Sequence, residues 1–369
     1  MCEWKNCKNI LCIRADNMGD LIMTAPALRA IKQTFNSKIT VLTSVMGNLI
    51  APCISEIDEV LVYDLPWIKT DKPVAANDFS NIINCIRSHQ FDGCIIFTVY
   101  SQNPLPAAML AFMAGIPKRL AYCRENPYHL LTDWVPEKEP YSAINHQVKR
   151  DLDLVAEIDA KTNDDRLSLH FSDKAKTSAL QKLADAGVDI SKEWIVIHAG
   201  VSEKKREYPA HLFGEAGKLI NQYLNIQILL TGSAGEKHLA DEIKKEIGIN
   251  TFSIAGLLNI EEFIAIISET SVAISVNTAT VHIAAATNTP VVVLYALTNP
   301  QHTPWKVRSQ ILPFHVKEEL QSKNEVVNYV TQKLSYKKIS FPSPEDILLA
   351  VWKLITENKP KQTAKIIQF

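Results

Sequence analysis

Short apolar runs, each followed by a helical pattern, recur along the whole chain, and this alternation constrains its fold more than any other feature. "NILCI" (Asn9–Ile13), "KITVLTS" (Lys38–Ser44), "EVLVYD" (Glu59–Asp64), "FDGCIIFTVY" (Phe91–Tyr100) and "RLAYC" (Arg119–Cys123) read as strands. Between them lie helical patterns to about Phe35, over "FSNIINCIRSHQ" and around Ala107–Ile116. Such runs, apolar on both faces and spaced by helices, predict parallel βαβ units and a doubly wound α/β sheet. The grammar then repeats with "WIVIHA", "IQILLTG", "TFSIAG", "VAISV" and "PVVVLYA". Two Rossmann-like parallel-sheet domains facing one another across a cleft are therefore expected, without a repeat at the level of residues.

Length agrees, because 369 residues exceed one ordinary core. The first domain is expected over residues 1–165. The irregular "EKEPYSAIN", the amphipathic "HQVKRDLDLVAEI" and the polar "DAKTNDDR" lead to a hinge between Ala160 and Lys192. The second domain is expected over 190–340. "SPEDILLAVWKLI" then carries a Ser N-cap, Pro at the first helical position and early acids. It predicts a helix over 343–358, expected to pack back on the first domain, with "ENKPKQTAKIIQF" as a loosely held tail.

Apolar residues make up 47% of the chain, charged residues 21%, and the net charge is −1. No basic run marks a nucleic-acid surface, so no nucleic-acid partner is expected. The seven cysteines lie at 2, 7, 12, 53, 85, 94 and 123, without paired zinc spacing. They read as reduced thiols in a cytoplasmic protein. "MCEWKNCKN" lacks a signal-peptide core, and "AAMLAFMAGI" is too short to span a bilayer, so membrane contact is expected to be peripheral only.

Open parallel sheets bind ligands in loops beyond the carboxyl ends of their strands, and four such loops carry chemistry. In "RADNMGD" the Gly19-Asp20 pair opens a helix. Asp20 reads either as a helix-start acid stabilising free N–H groups, or as a general base held ionised by those groups. In "HAGVSEKKREYP", Gly200 and Ser202 offer backbone approach and a hydroxyl, and Lys204, Lys205 and Arg206 suit a diphosphate or form a solvated charge run. In "LLTGSAGEKHLADEI", Glu236 enters a helix after a glycine-flanked turn, either to chelate ribose hydroxyls or as a first-turn acid. In "SVNTATVHIAAAT", Asn277 and Thr278 open a helix, either with the N–H groups of Thr278 and Ala279 pointing at an anion or as a simple N-cap with His282 packed in the helix. "DLD" (Asp151–Asp153) mimics a metal-binding DxD but falls on a helical pattern, so no metal site is expected.

In this order the four loops resemble glycosyltransferase family 9, the ADP-heptose:lipopolysaccharide heptosyltransferases and their relatives. "ILCIRADNMGDLIMTAPALRAIK" is similar to the family's R-D-x-x-G-D opening, and "AGLLNIEEFIAIISETSVAISVNTATVHIAAATNTPVVVLYALTNP" to its C-terminal signature with the T-x-x-x-H helix. The resemblance implies a GT-B architecture and inverting, metal-independent transfer from a nucleotide-sugar, ADP-heptose or a related donor, with no further cofactor. It implies Asp20, after Gly19, as catalytic base, Glu236 as ribose-binding acid and Leu258 as a neighbour of the adenine. Gly200, Ser202, Lys205 or Arg206, Asn277, Thr278, Ala279 and His282 would complete the donor site. Asn277-Thr278-Ala279 stands where the family has Asp-Thr-Gly, and Tyr208-Pro209 where it has Trp-Pro.

The function these residues favour is transfer of a heptose or related sugar to a lipopolysaccharide-core-type saccharide at the cytoplasmic face of the inner membrane. Transfer of another sugar to a capsule, O-chain or protein acceptor is the enzymatic alternative. Nucleotide-sugar binding without turnover is the non-enzymatic one.

Overall fold

A computed structural model describes residues 3–68, 75–334 and 339–356; the expected C-terminal tail lies outside them. The chain divides into two compact units. One comprises 1–170 with 300–302 and 324–330, and the other comprises 171–299, 303–323 and 331–369.

The first unit holds strands β1 (Asn9–Ile13), β2 (Lys38–Thr43), β3 (Glu59–Val62), β4 (Gly93–Ile96), β5 (Lys118–Cys123) and β6 (Asp133–Pro136). They pair in parallel in the order β3-β2-β1-β4-β5-β6. Helices α1 (Met18–Phe35), α2 (Val45–Ile50), α3 (Ala76–Ser88), α4 (Leu105–Met113) and α5 (Gln147–Ala156) belong to the same unit. β1 lies between β2 and β4, with Ile10 opposite both Ile39 and Gly93, so the loops leaving β1 and β4 run side by side. Strand order reverses there, and that is where such sheets hold ligands.

The second unit begins with α6 (Asp173–Asp185), followed by β7 (Trp194–His198), α7 (Ala210–Leu224), β8 (Gln227–Thr231), α8 (Lys237–Ile247) and β9 (Thr251–Ser253). It continues with α9 (Ile260–Glu269), β10 (Ala273–Val276), α10 (Ala279–Ala286), β11 (Val291–Ala296) and β12 (Ser309–Phe314). Beyond them lie α11 (Glu325–Leu334), most of which groups with the first unit, and α12 (Pro344–Thr356). The parallel order is β12-β11-β10-β7-β8-β9, and Ser275 sits opposite His198, which sets the β7 and β10 loops beside one another.

Two expectations are corrected. The hinge between Ala160 and Lys192 contains α6, which belongs to the second unit. Glu262 of α9 accepts from Ser178 Oγ and Lys182 Nζ, both at 2.7 Å, and that buried acid draws the helix in. The C-terminal helix packs within the second unit, with Ile347, Leu348, Val351 and Leu354 in its core. Tyr208 anchors the approach by donating to the Pro342 carbonyl at 2.7 Å. The apolar stripe of α12 meets α7, a pairing its amphipathic pattern does not specify. Edge strands β6 and β12 also lack a strong sequence signal, because their residues are mostly half-exposed.

Candidate active site

In the first unit the site is built from the β1–α1 loop. Asp20 stands in the first turn of α1, where its Oδ2 accepts from the Asn17 N–H at 3.2 Å and closes one half of a capping box. Its Oδ1 accepts from Arg14 Nη2 at 3.0 Å. His302, in the segment 300–302 of this unit, places Nε2 3.5 Å from the same oxygen. One carboxylate oxygen thus serves the helix and the other meets the Arg14 guanidinium and the His302 ring. The two readings of Asp20 are geometrically compatible.

Arg14 is fully buried at the end of β1, and its Nε lies 3.4 Å from Asp16 Oδ2. Asp16 accepts from Gln102 Nε2 at 2.5 Å and lines a cleft of about 260 Å³ with Trp67, Phe97, Ser101 and Asn103. Behind α1, Asp151 of α5 is also fully buried. It accepts from Thr24 Oγ1 at 2.8 Å and Gln147 Nε2 at 2.7 Å. Burial pushes both Asp16 and Asp151 up to about 6, against the pull of Arg14. Asp153 instead pairs with Lys149 at 2.7 Å on an exposed face, as helical spacing requires, so the two acids of "DLD" diverge.

A sign follows for stability. Asp16 and Asp151 hold protons in the folded state that the unfolded chain releases, so stability falls as pH rises from 3.8 towards about 6. Asp151→Asn removes one of these groups. In urea unfolding it should gain on the wild type between about pH 4 and about pH 7. Parallel wild-type and variant curves across that range would contradict the raised value.

In the second unit three loops meet at the carboxyl ends of β7, β8 and β10. Glu236 Oε2 accepts from the Ser233 N–H at 2.6 Å, which fixes the carboxylate over the β8 loop. A β-carbon on Gly200 would overlap that carboxylate, so glycine here is what leaves the Glu236 side chain room to stand where it does. His198, the last residue of β7, bonds Thr231 Oγ1 through Nδ1 at 3.0 Å and tilts against Phe263 at 5.6 Å. Burial holds its pKa below the usual histidine range, favouring the neutral ring.

Arg206 Nη1 donates to the Asn277 carbonyl at 3.1 Å and Nη2 pairs with Glu203 at 2.9 Å, while Nε makes no hydrogen bond. Lys205 pairs with Glu203 at 3.3 Å. Of the two cations left open by the sequence, Arg206 is therefore the one tied to the α10 entry. Asn277 is a clamp: Nδ2 donates to the Ala296 carbonyl at 3.2 Å and Thr298 Oγ1 at 3.1 Å, and Oδ1 accepts from Ala296 N–H at 3.1 Å. The Thr278 N–H is bonded to the Val276 carbonyl at 2.7 Å, which corrects its expected role as an anion donor. The N–H groups without intrahelical acceptors begin at Ala279 and continue to Thr280. Ser202 is exposed, Leu258 half-buried just before α9, and Gly19 and His282 are buried in α1 and α10.

Four charged or titratable side chains around these loops were not singled out from sequence: Arg14, Asp16, His198 and His302. Arg14 and Asp16 flank the Asp20 turn and were open to notice. The two histidines carried no local signal, since strand pairing and a distant segment bring them in.

Two six-stranded parallel sheets with ligand loops at their switch points define a class of twin Rossmann-like proteins. The profile of glycosyltransferase family 9 (heptosyltransferase) matches residues 81–330, and the chain belongs to that family. The matched stretch begins beyond the Asp20 loop. Lipooligosaccharide heptosyltransferase 2 of Haemophilus influenzae is 26% identical over 227 residues, covering 58% of this chain and 63% of that protein. The alignment thus spans less than two thirds of that relative. Among solved structures, a family 9 glycosyl transferase from Veillonella parvula superposes with a TM-score of 0.76 at 15% identity, over 95% of this chain and 98% of that one. The ADP-heptose lps heptosyltransferase II of E. coli gives 0.69 at 18% identity, over 95% and 99%. These likenesses bear out the expected GT-B fold class.

Proposed function

We propose that the protein is an inverting, metal-independent transferase that moves a heptose or related sugar from an ADP-sugar to a lipopolysaccharide-core-type saccharide. The observation that carries this reading is Asp20 at the β1 switch point, with one carboxylate oxygen held by the helix start and the other directed to Arg14 and His302. Asp20 takes the proton of the acceptor hydroxyl as that oxygen attacks the anomeric carbon, and the nucleoside diphosphate leaves in a single displacement. Arg206 Nε and the N–H groups of Ala279 and Thr280 stabilise the leaving diphosphate with fixed positive charge. Glu236 holds the ribose. The same donors leave no step that requires a metal.

The names of the relatives supply the sugar and acceptor class of this proposal. Among the described residues no helix is long and apolar enough to cross a membrane. Work at the cytoplasmic membrane face, on a lipid-linked acceptor, would be by peripheral contact.

A panel of sugar-nucleotides screened by thermal shift tests the donor: ADP-heptose should raise the melting temperature, and no shift with any member would overturn the reading. Gly200→Ala should drive Glu236 out of place and weaken ADP binding about tenfold, or about 1.4 kcal/mol, by calorimetry. Unchanged affinity would remove Glu236 from the ribose site.

Asn277→Asp separates specialisation from decay. The carboxylate would lose both donors and face the Ala296 carbonyl, at a cost of about 1–3 kcal/mol in unfolding free energy and with no gain in turnover. A large gain in rate would instead favour the reading as a non-transferring nucleotide-sugar binder.

A further inference from the structure

The apolar run that is too short to span a bilayer forms α4, whose nine residues, "LPAAMLAFM", include no polar side chain. One face of the helix, with Ala107, Ala108, Leu110 and Ala111, is buried in the core of the first unit. The other face is bare. Met109, Phe112 and Met113, at helical spacings of three and four, are 41%, 47% and 46% exposed. A helix with water on one side ordinarily turns polar residues towards it.

Aromatic and cationic groups border this stripe. The Arg119 guanidinium stands over the Phe112 ring at 5.4 Å and donates to the carbonyls of His129 and Leu130, both at 2.8 Å. It thereby holds the 124–131 loop beside α4, and Tyr128 in that loop is 79% exposed. From α3, the exposed Arg87 donates to the Met113 carbonyl at 2.7 Å and to Asn84 Oδ1 at 2.8 Å. Neither bond brings a carboxylate, so Arg87 keeps its charge beside the stripe. Lys118 meets Asp133 at 3.9 Å, and Arg124 stands next to Glu125 in the loop. The first turn of α4 is also a wall of the cleft that Asp16 lines, through Pro106 and Ala107.

We propose that α4 and the 124–131 loop dock the first unit on an anionic lipid bilayer. Met109, Phe112 and Met113 enter the acyl region, Tyr128 stays at the level of the head groups, and Arg87 meets a lipid phosphate. Apolar area supplies the affinity, and the guanidinium without a carboxylate favours an anionic surface over a neutral one. At about 1.5 Å per residue α4 is about 14 Å long, so it lies along the interface and does not cross it. The inference deepens the reading of a lipid-linked acceptor and rests on it for its purpose. A saccharide in the cleft keeps its lipid in the bilayer that α4 touches.

Sedimentation of the full chain with vesicles of phosphatidylcholine and phosphatidylglycerol is the test. The wild type should bind, and Phe112→Glu should lower the partition coefficient about tenfold or more. Arg87→Gln should lower it severalfold on these vesicles and leave binding to pure phosphatidylcholine unchanged. Ile249→Glu puts the same charge on an apolar residue of the second unit that is 85% exposed, and it should bind as the wild type does. No binding by the wild type, an Arg87 variant indistinguishable from it, or an equal loss in the Ile249 variant overturns the proposal. So does a doubled mass in solution that Phe112→Glu returns to a single chain without any vesicle binding, which assigns the face to a second copy. Should Phe112→Glu fail to fold, Phe112→Trp carries the test. Brominated acyl chains should quench its added emission, and bound protein without quenching overturns the proposal. These arms use neither donor nor acceptor. Their failure leaves transfer to a free saccharide standing, and a failed transfer assay leaves the docking face standing. With a turned-over pair, Phe112→Glu should raise KM for a vesicle-borne acceptor severalfold and leave KM for the same saccharide without its lipid unchanged. Equal rises for both overturn the proposal.

Discussion

Asp20→Asn is expected to lower kcat by about 10²–10⁴-fold while leaving ADP affinity within about twofold, as removal of a general base does. Steady-state release of ADP and calorimetry on the same preparations check both halves. The amide keeps one oxygen for the Asn17 N–H, so the helix start survives, but its NH2 then faces the donor Arg14 Nη2 and that bond is lost. It also loses the capacity to take a proton. Turnover retained to within a few fold would remove Asp20 as the base. Lost ADP affinity would mean that the substitution acted through structure.

Arg14→Met is expected to have the largest effect on stability, about 3–5 kcal/mol near neutral pH, because it strips the counter-charge from a buried cluster. Met fills a similar volume, so the loss is electrostatic in origin. Asp16, Asp20 and Asp151 all interact with this guanidinium, and its side chain has no exposed surface. Acidification protonates the carboxylates, so the deficit should shrink as pH falls through about 6, the value to which Asp16 and Asp151 are raised even with Arg14 present. Urea unfolding of variant and wild type across that range measures it. A deficit independent of pH would mean that packing, not charge, was lost.

The legible part of this protein was the part with local grammar. Runs such as "NILCI" and "PVVVLYA" are buried along nearly their whole length and could only be inner strands of parallel sheets. Asp20 was legible for the same reason: it stands where a buried strand gives way to a helix. The capping box with Asn17 and the ion pair with Arg14 are both short-range, at sequence separations of three and six. Where tertiary contact decides, sequence was silent or misleading. The stripe on α12 announces that it is buried but not by what. The polar composition of 160–192 suggested a hinge, and a single buried acid on α9 made it a packed helix. Asn277 looked like a sugar-binding amide, and its partners Ala296 and Thr298 come from the end of another strand. Asp151 was set aside with a motif that it does not form, because its partner Thr24 lies on a helix far away in sequence.

The most direct measurement is the fate of ADP-heptose mixed with the protein and a core oligosaccharide acceptor in excess EDTA, followed by NMR. The expected result is ADP release matched by a glycosylated acceptor whose new linkage has the anomeric configuration opposite to that of the donor. Retained configuration, or transfer that appears only when a divalent metal is restored, would contradict a single displacement driven by Asp20 and fixed protein charges.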